Sequence, residues 1–455
     1  MMRKFFGTDG VRGRANEYPI NAEMTLKLGA AAGRYFRKDG DEHRVVIGKD
    51  TRRSGYMLEN ALTAGLTATG MNVFLLGPTP TPAVGLLTRS MRADLGIMIS
   101  ASHNPYYDNG IKLFGPDGYK LSDEVELEIE ELLDQEYKPE GADGIGKAKR
   151  IDDGLGRYIE RVKSTFPTGL RLDGIKIVVD CAHGASYKTA PEVLWELGAD
   201  VIPIGVTPNG FNINEGCGST NTELAKQAVI SNNADLAICL DGDADRVILL
   251  DEFGNKADGD QILGLLASRW ALNGKLNKNT LVTTVMSNLG LEIFLKKSSI
   301  NVIRSSVGVR YVVEQMRKQE FNLGGEQSGH IVMTDFSTTG DGIVAALQFL
   351  SIMKQEDKSA SSLITQFTPY PQKIKNVVCP VDANPLKDTM IKESIKRFEQ
   401  ELEGKGRILI RKSGTEPLIR VMVECEDEHF LDKVRTILEQ FWDNFGTFFG
   451  INFKL

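Results

Sequence analysis

Three carboxylates stand at alternate positions in Asp241-Gly242-Asp243-Ala244-Asp245-Arg246, directly after the apolar run Leu236-Ala237-Ile238-Cys239-Leu240. If that run is a strand, its end presents the three acids within a few ångströms of one another. Like charges that close repel unless a cation lies between them. Oxygen ligands suit a hard divalent ion. A calcium-binding EF-hand loop is excluded. It needs Gly at the sixth position, where Arg246 stands, and helical flanks, whereas Val247-Ile248-Leu249-Leu250 reads as a strand. Magnesium (Mg2+) is the expected ion. It keeps few protein ligands and fills its shell with phosphate or water, so a phosphate is expected nearby.

Two further loops could handle that phosphate. Ser102 follows an apolar run and precedes His103-Asn104-Pro105. Its hydroxyl can act as a nucleophile or as a turn residue. No GxSxG pattern surrounds it, which argues against a hydrolase triad. Beside an acidic cluster, phosphoryl chemistry fits better, and a phosphoserine would add about −1.5 to −2 of charge as the counterpart of the cation. Arg411-Lys412-Ser413-Gly414-Thr415-Glu416-Pro417 offers two cations, two hydroxyls and a Gly where backbone N–H groups can converge, with Arg420 close by. That composition is a phosphate nest. By contrast, Gly141 to Lys147 imitates a nucleotide P-loop by chance. Ala148 stands where Ser or Thr must bind magnesium, and no apolar strand precedes it.

The elements that position these loops repeat. Residues 44–102 read strand, helix, strand, strand. Residues 175–241 follow the same plan, and 280–331 give a shorter version. Ala93-Asp94-Leu95-Gly96-Ile97-Met98-Ile99 parallels Ala234-Asp235-Leu236-Ala237-Ile238-Cys239-Leu240. Three copies of one α/β unit are expected, with mixed, mostly parallel sheets, plus a C-terminal α+β domain around a central cleft. The last strand of each unit ends in Ser100 to Pro105, Asp241 to Arg246, or Gly324 to His330, so one shared cleft is expected. The expected domains are 1–152, 153–254, 255–368 and 369–455. The helix from Ser122 to Gln135 is expected to turn its acids to solvent, and Lys138 to Arg150 to be a linker.

Composition removes other classes. The 455 residues carry a net charge of −7, which points to neither nucleic acid nor an acidic membrane surface. Five scattered cysteines without CxxC spacing favour neither a disulfide framework nor zinc. With no signal-peptide core and no bilayer-spanning run, a cytoplasmic enzyme is expected.

Taken together, the serine loop 100–105, metal loop 241–246, sugar loop 324–330 and phosphate loop 411–417 resemble the α-D-phosphohexomutase superfamily over essentially the whole chain. Phe6 to Gly13, Asn212 to Thr220 and Gln327 resemble the branch that interconverts glucosamine 6-phosphate and glucosamine 1-phosphate, which feeds UDP-N-acetylglucosamine and cell-wall synthesis. The resemblance implies an isomerase that carries phosphate on Ser102 and passes through glucosamine 1,6-bisphosphate. Asp241, Asp243, Asp245 and an oxygen on Ser102 would hold Mg2+. Arg246 and Lys112 would steady the transferring group, and His103 or Lys112 would shuttle the proton. Arg12, Glu326, Ser328 and His330 would serve the sugar phosphate. Arg411, Ser413, Gly414, Thr415 and Arg420 would hold the phosphate that is not reacting, with a mobile last domain. A phosphomannomutase or phosphoglucomutase, or more remotely a metal-dependent phosphatase, is the alternative. Two departures stand out. Val309 replaces a carboxylate often found before Arg310, and the tail from Phe441 to Leu455 is rich in Phe. That tail reads as an extra packed segment or, more sharply, as the contact of a homodimer.

Overall fold

The computed structural model describes residues 4–37, 42–378, 389–402, 405–412 and 418–427. Its first sheet holds β1 (Phe6–Gly7), β2 (Gly10–Arg14), β3 (Arg44–Lys49), β4 (Asn72–Pro78), β5 (Leu95–Ile99), β6 (Asp108–Phe114) and β7 (Ala148–Arg150), in the order β1-β2-β6-β5-β3-β4-β7. The second holds β8 (Lys176–Asp180), β9 (Asp200–Ile204), β10 (Leu236–Leu240), β11 (Val247–Asp251) and β12 (Lys256–Ala257), in the order β12-β11-β10-β8-β9. The third holds β13 (Thr280–Thr284), β14 (Asn301–Ser305), β15 (Leu323–Gly325) and β16 (Ile331–Met333), in the order β14-β13-β15-β16.

One arrangement underlies all three. The first strand of each unit pairs in parallel with its second on one side and its third on the other, and the third turns back into an antiparallel fourth. The central strands are covered on both faces, so β5 and β10 are apolar and buried throughout. Alternation along β3 shows why. Val45 and Ile47 pack with Leu58, Leu62 and Leu66 of the helix Ser54–Ala68, while Val46 faces Val84 and Leu87 of the helix Thr81–Ser90.

Several local expectations need correction. The helices Thr81–Ser90 and Glu223–Asn232 were not foreseen. The first starts in a Pro-Thr run that reads as loop, although Pro is well suited to a first helical turn. The supposed linker ends in β7, which extends the first sheet alongside β4. The acidic helix spans Asp123–Leu133, but its acids are not all solvated. Glu130 is 7% exposed and accepts the backbone N–H groups of Lys4, Phe5 and Phe6 at 2.8, 2.7 and 2.8 Å. Glu126, 1% exposed, pairs with Arg310. The P-loop look-alike is a turn with no helix after it.

Residues 285–299 and the described residues from 367 onward make a second compact unit. Its sheet is antiparallel, β17 (Gln372–Val378), β19 (Leu418–Cys425) and β18 (Gly406–Lys412) in that order. The helix Leu289–Lys297, expected with the sugar loop, belongs here because its cap is tied down. Asn288 donates to the Tyr370 carbonyl at 3.0 Å and accepts its N–H at 2.8 Å. Buried Glu424 accepts from Leu289 N (3.2 Å), Gln372 Nε2 (2.8 Å) and Arg407 Nε (2.5 Å). Among the described residues no helix is long and apolar enough to cross a membrane.

Candidate active site

The loops between the third and fourth strands of the first two units meet directly. Ser102 is fully buried, and its Oγ donates to Asp241 Oδ2 at 2.5 Å. Its φ of 54° lies in the left-handed region, which a non-glycine residue adopts only when its surroundings hold it there. Asp241, Asp243 and Asp245 are all buried, and one carboxylate oxygen from each lies within 4.8 Å of the others. Asp243 Oδ1 and Asp245 Oδ1 are buried without a hydrogen-bond partner. Three buried carboxylates, two of them with an unpartnered oxygen, are compatible with a metal site.

Cations surround this cluster. Lys112, on β6, is 1% exposed and its Nζ lies 2.7 Å from Asp243 Oδ2, 3.2 Å from Asp245 Oδ2 and 3.3 Å from Asp9 Oδ2. Burial pulls its ammonium down, but Asp243, Asp245 and Asp9 outweigh that and hold it well above the usual lysine range. Burial pushes the Asp241 carboxyl up, and its neighbours Asp245 and Asp243 push it further. Arg246 Nη1 donates to His103 Nδ1 at 3.1 Å, and the Arg246 N–H reaches Asp241 Oδ1 at 3.2 Å. Burial, then the guanidiniums of Arg246 and Arg12, lower His103 to about 4, so it is neutral at ordinary pH.

The third unit contributes unevenly. Glu326 Oε1 accepts the Gly308 N–H at 3.1 Å, and Ser328 is exposed. His330 is 2% exposed. Its Nε2 accepts from Gly340 N at 3.2 Å, and its Nδ1 lies 3.5 Å from Asp245 Oδ1. Arg310, without a carboxylate at Val309, is instead gripped by Asp123 and by Glu126, whose Oε2 is 2.7 Å from its Nη1. In the compact unit that holds the C-terminal antiparallel sheet, Arg411 faces Arg420 across β18 and β19. Burial and Arg420 lower the Arg411 guanidinium, and its Nε is buried without a partner. Facing like charges are unfavourable unless an anion joins them. Ser413, Gly414, Thr415 and the Phe-rich tail lie outside the described residues.

Two site residues escaped the sequence reading. Asp9 binds Arg12 and Lys120 as well as Lys112. Its burial is outweighed by those three cations, so it stays well below the usual carboxylate range. Its place in Gly7-Thr8-Asp9-Gly10, three residues before Arg12, was the available signal. Thr81 anchors the metal loop from the unforeseen helix, with its N–H on the Asp243 carbonyl at 2.9 Å and its Oγ1 on Asp243 Oδ2 at 2.5 Å.

Known proteins share this fold. The α/β/α domains I, II and III of phosphoglucomutase/phosphomannomutase match residues 3–140, 156–254 and 258–370, and the C-terminal domain of the same group matches 374–439. The chain belongs to the phosphoglucomutase/phosphomannomutase family. Within that family it is 65% identical over 435 residues to a phosphoglucosamine mutase of Paracoccus denitrificans, covering 95% of this chain and 97% of the relative. A solved phosphoglucomutase/phosphomannomutase family protein from Burkholderia thailandensis has the same fold, with a TM-score of 0.80 at 21% identity over 95% of this chain and 96% of the other. An N-acetylphosphoglucosamine mutase of Aspergillus fumigatus, solved with GlcNAc-6P and magnesium, has a TM-score of 0.65 at 18% identity, covering 95% of this chain and 94% of that one.

Proposed function

We propose that the protein is an isomerase interconverting glucosamine 6-phosphate and glucosamine 1-phosphate through a phosphorylated Ser102. The contact between Ser102 Oγ and Asp241 carries this reading, because it sets a buried nucleophile against an acidic cluster that needs a cation. The 65% identity to a phosphoglucosamine mutase supports the choice of glucosamine over glucose or mannose. In the first step O1 of glucosamine 6-phosphate passes its proton to a carrier side chain and attacks phosphorus on Ser102. The Ser102 Oγ–P bond breaks, the O1–P bond forms, and glucosamine 1,6-bisphosphate results. The sugar then turns over, Ser102 Oγ takes the phosphoryl group from O6, and O6 regains a proton. His103, neutral at ordinary pH, is the better proton carrier, since Lys112 stays charged among three carboxylates.

Asp241, Asp243, Asp245 and an oxygen on Ser102 would hold one Mg2+, which when bound neutralises charge on the transferring group. Lys112 and Arg246 add fixed positive charge there. Arg12, Glu326 and Ser328 are assigned to the sugar phosphate, and His330 to steadying Asp245. Arg411 and Arg420, with Ser413, Gly414 and Thr415, are assigned to phosphate. The domain division 1–152, 153–254, 255–368 and 369–455, a cytoplasmic location and a homodimer complete the proposal.

Side-by-side assays of glucosamine, glucose and mannose 6-phosphates, with intact mass measured on Ser102, test it. A phosphoryl adduct on the wild type, its absence in Ser102→Ala, and preferred turnover of the glucosamine phosphate are expected. Turnover that survives Ser102→Ala, or phosphate release without sugar 1-phosphate, would refute it.

A further inference from the structure

The loop from Asn212 to Thr220 has no part in the chemistry above, yet it reaches the nucleophile. Asn214 Nδ2 donates to the Ser102 carbonyl at 2.9 Å and to the Asn104 carbonyl at 3.0 Å. Arg52 Nη2 donates to the same two carbonyls, at 3.1 Å for Ser102. Arg52 is 0% exposed and paired with Asp50, also 0% exposed on its side chain, and Asp50 Oδ1 accepts the Arg52 N–H at 2.9 Å. The Ser102 N–H is fixed as well, by Ser100 Oγ at 2.9 Å. Both backbone groups of a residue with φ of 54° are therefore held by side chains from outside its own loop or from its start.

We infer that Asp50, Arg52 and Asn214 are positioning residues, a clamp that fixes the Ser102 carbonyl and so keeps the phosphorylated side chain aimed for transfer. Asp50 and Arg52 come from the end of β3, next to the strand that carries Ser102. Asn214 comes from the second α/β unit, so the clamp also ties that unit to the serine loop. None of the three touches the reacting atoms. Their effect reaches the chemistry through the backbone, because a left-handed serine that relaxes swings its Oγ away from Asp241. The inference rests on the phosphoserine reading proposed above.

Asn214→Gly removes the two donors while keeping a residue that tolerates φ of 60°. Arg52→Lys keeps the charge but loses the planar fork that joins Asp50, through Nη1, to both carbonyls, through Nη2. Each variant is assayed for kcat and KM with glucosamine 6-phosphate, for thermal melting, and by intact mass for loss of phosphate from Ser102 to water. A fall in kcat of about tenfold to a hundredfold is expected, as for a small misplacement of a reacting group. KM should stay within about twofold, and phosphate should leak faster. Wild-type kcat in both folded variants would overturn the clamp while leaving the phosphoserine intact. A wild type that never takes up phosphate on Ser102 would overturn the phosphoserine reading and the clamp with it.

Discussion

Gly242, between the first two acids of the metal loop, has no room for a side chain. A Cβ built there would lie 2.6 Å from the Ser102 carbonyl oxygen, 2.8 Å from Ile213 Cδ1 and 2.9 Å from Asn214 Nδ2. Ordinary contact begins at 3.4 Å, so the carbonyl must retreat by about 0.8 Å. It cannot do so freely, since Arg52 and Asn214 hold it at 3.1 and 2.9 Å. Gly242→Ala should therefore cost roughly 1–3 kcal/mol, the usual range for overpacking. It should also lower kcat by about a hundredfold, because a displacement near 1 Å has that effect on an aligned reaction. Gly156, exposed in the helix Gly154–Lys163 with nothing within 4 Å of a built Cβ, is the control. Gly156→Ala should stabilise by up to about 1 kcal/mol, through helix propensity alone, and leave kcat unchanged. Thermal melts and initial rates on the three proteins decide the matter. A Gly242→Ala protein that melts and turns over like the wild type would refute the packing of these three loops.

Removing the buried ammonium with Lys112→Met should cost about 3–5 kcal/mol, since three carboxylates lose their counter-charge. Added Mg2+ should raise the variant's melting temperature more than the wild type's, and an equal rise would count against a shared cation site. Glu130→Ala strands the N–H groups of Lys4, Phe5 and Phe6, at about 1–3 kcal/mol for the buried one, Phe6. Limited proteolysis should then cut first near Phe6. Burial raises Asp341 to about 6, although it caps the helix Gly342–Glu356 and accepts the Tyr158 hydroxyl at 3.0 Å. A carboxyl that binds protons more tightly when folded favours the folded state at low pH, and that benefit is lost as pH rises through about 6. Asp341→Asn should flatten this fall between about pH 4 and 6 while keeping a cap, and an unchanged pH–melting curve would contradict the assignment.

The sequence was most legible where strands are buried on both faces. Leu95–Ile99 and Leu236–Leu240 are continuous apolar runs, and that pattern alone places the acids at the end of the second. Legibility failed where the partner lies far along the chain. Glu126 and Glu130 look like solvated helix acids because their partners, Arg310 and the N–H groups of residues 4–6, are 184 and up to 126 positions away. His330 was named from the resemblance as serving the sugar phosphate, and the packing of its ring against Gly340 and Asp245 has no signature in the sequence. Thr81 was hidden because a run of Pro and Thr carries no apolar period to announce a helix.

The shared strand order explains why three loops with unrelated compositions fall at equivalent places in the three copies. In each copy the first strand has its second on one side and its third on the other, which is where α/β sheets open a crevice at their carboxyl ends. The third-strand ends supply the hydroxyl, the acids and the sugar loop. The first-strand ends supply a second layer that the sequence pattern also repeats. Asp50 accepts the N–H two residues on, from Arg52, and Asp180 accepts the N–H two residues on, from Ala182, each at 2.9 Å. Asp180 then reaches Gly218 N at 2.7 Å, at the far end of the loop that carries Asn214. One buried aspartate therefore fixes the arginine that holds Ser102, and its counterpart fixes the loop whose asparagine holds the same carbonyl. Burial pushes Asp180 up to about 6 against the pull of those two N–H groups, a cost in stability that makes sense where backbone position matters more than stability. The acidic cluster and Ser102 are thus flanked by paired turns that recur in two of the units, and damage to either turn should lower turnover if Ser102 is the phosphate carrier.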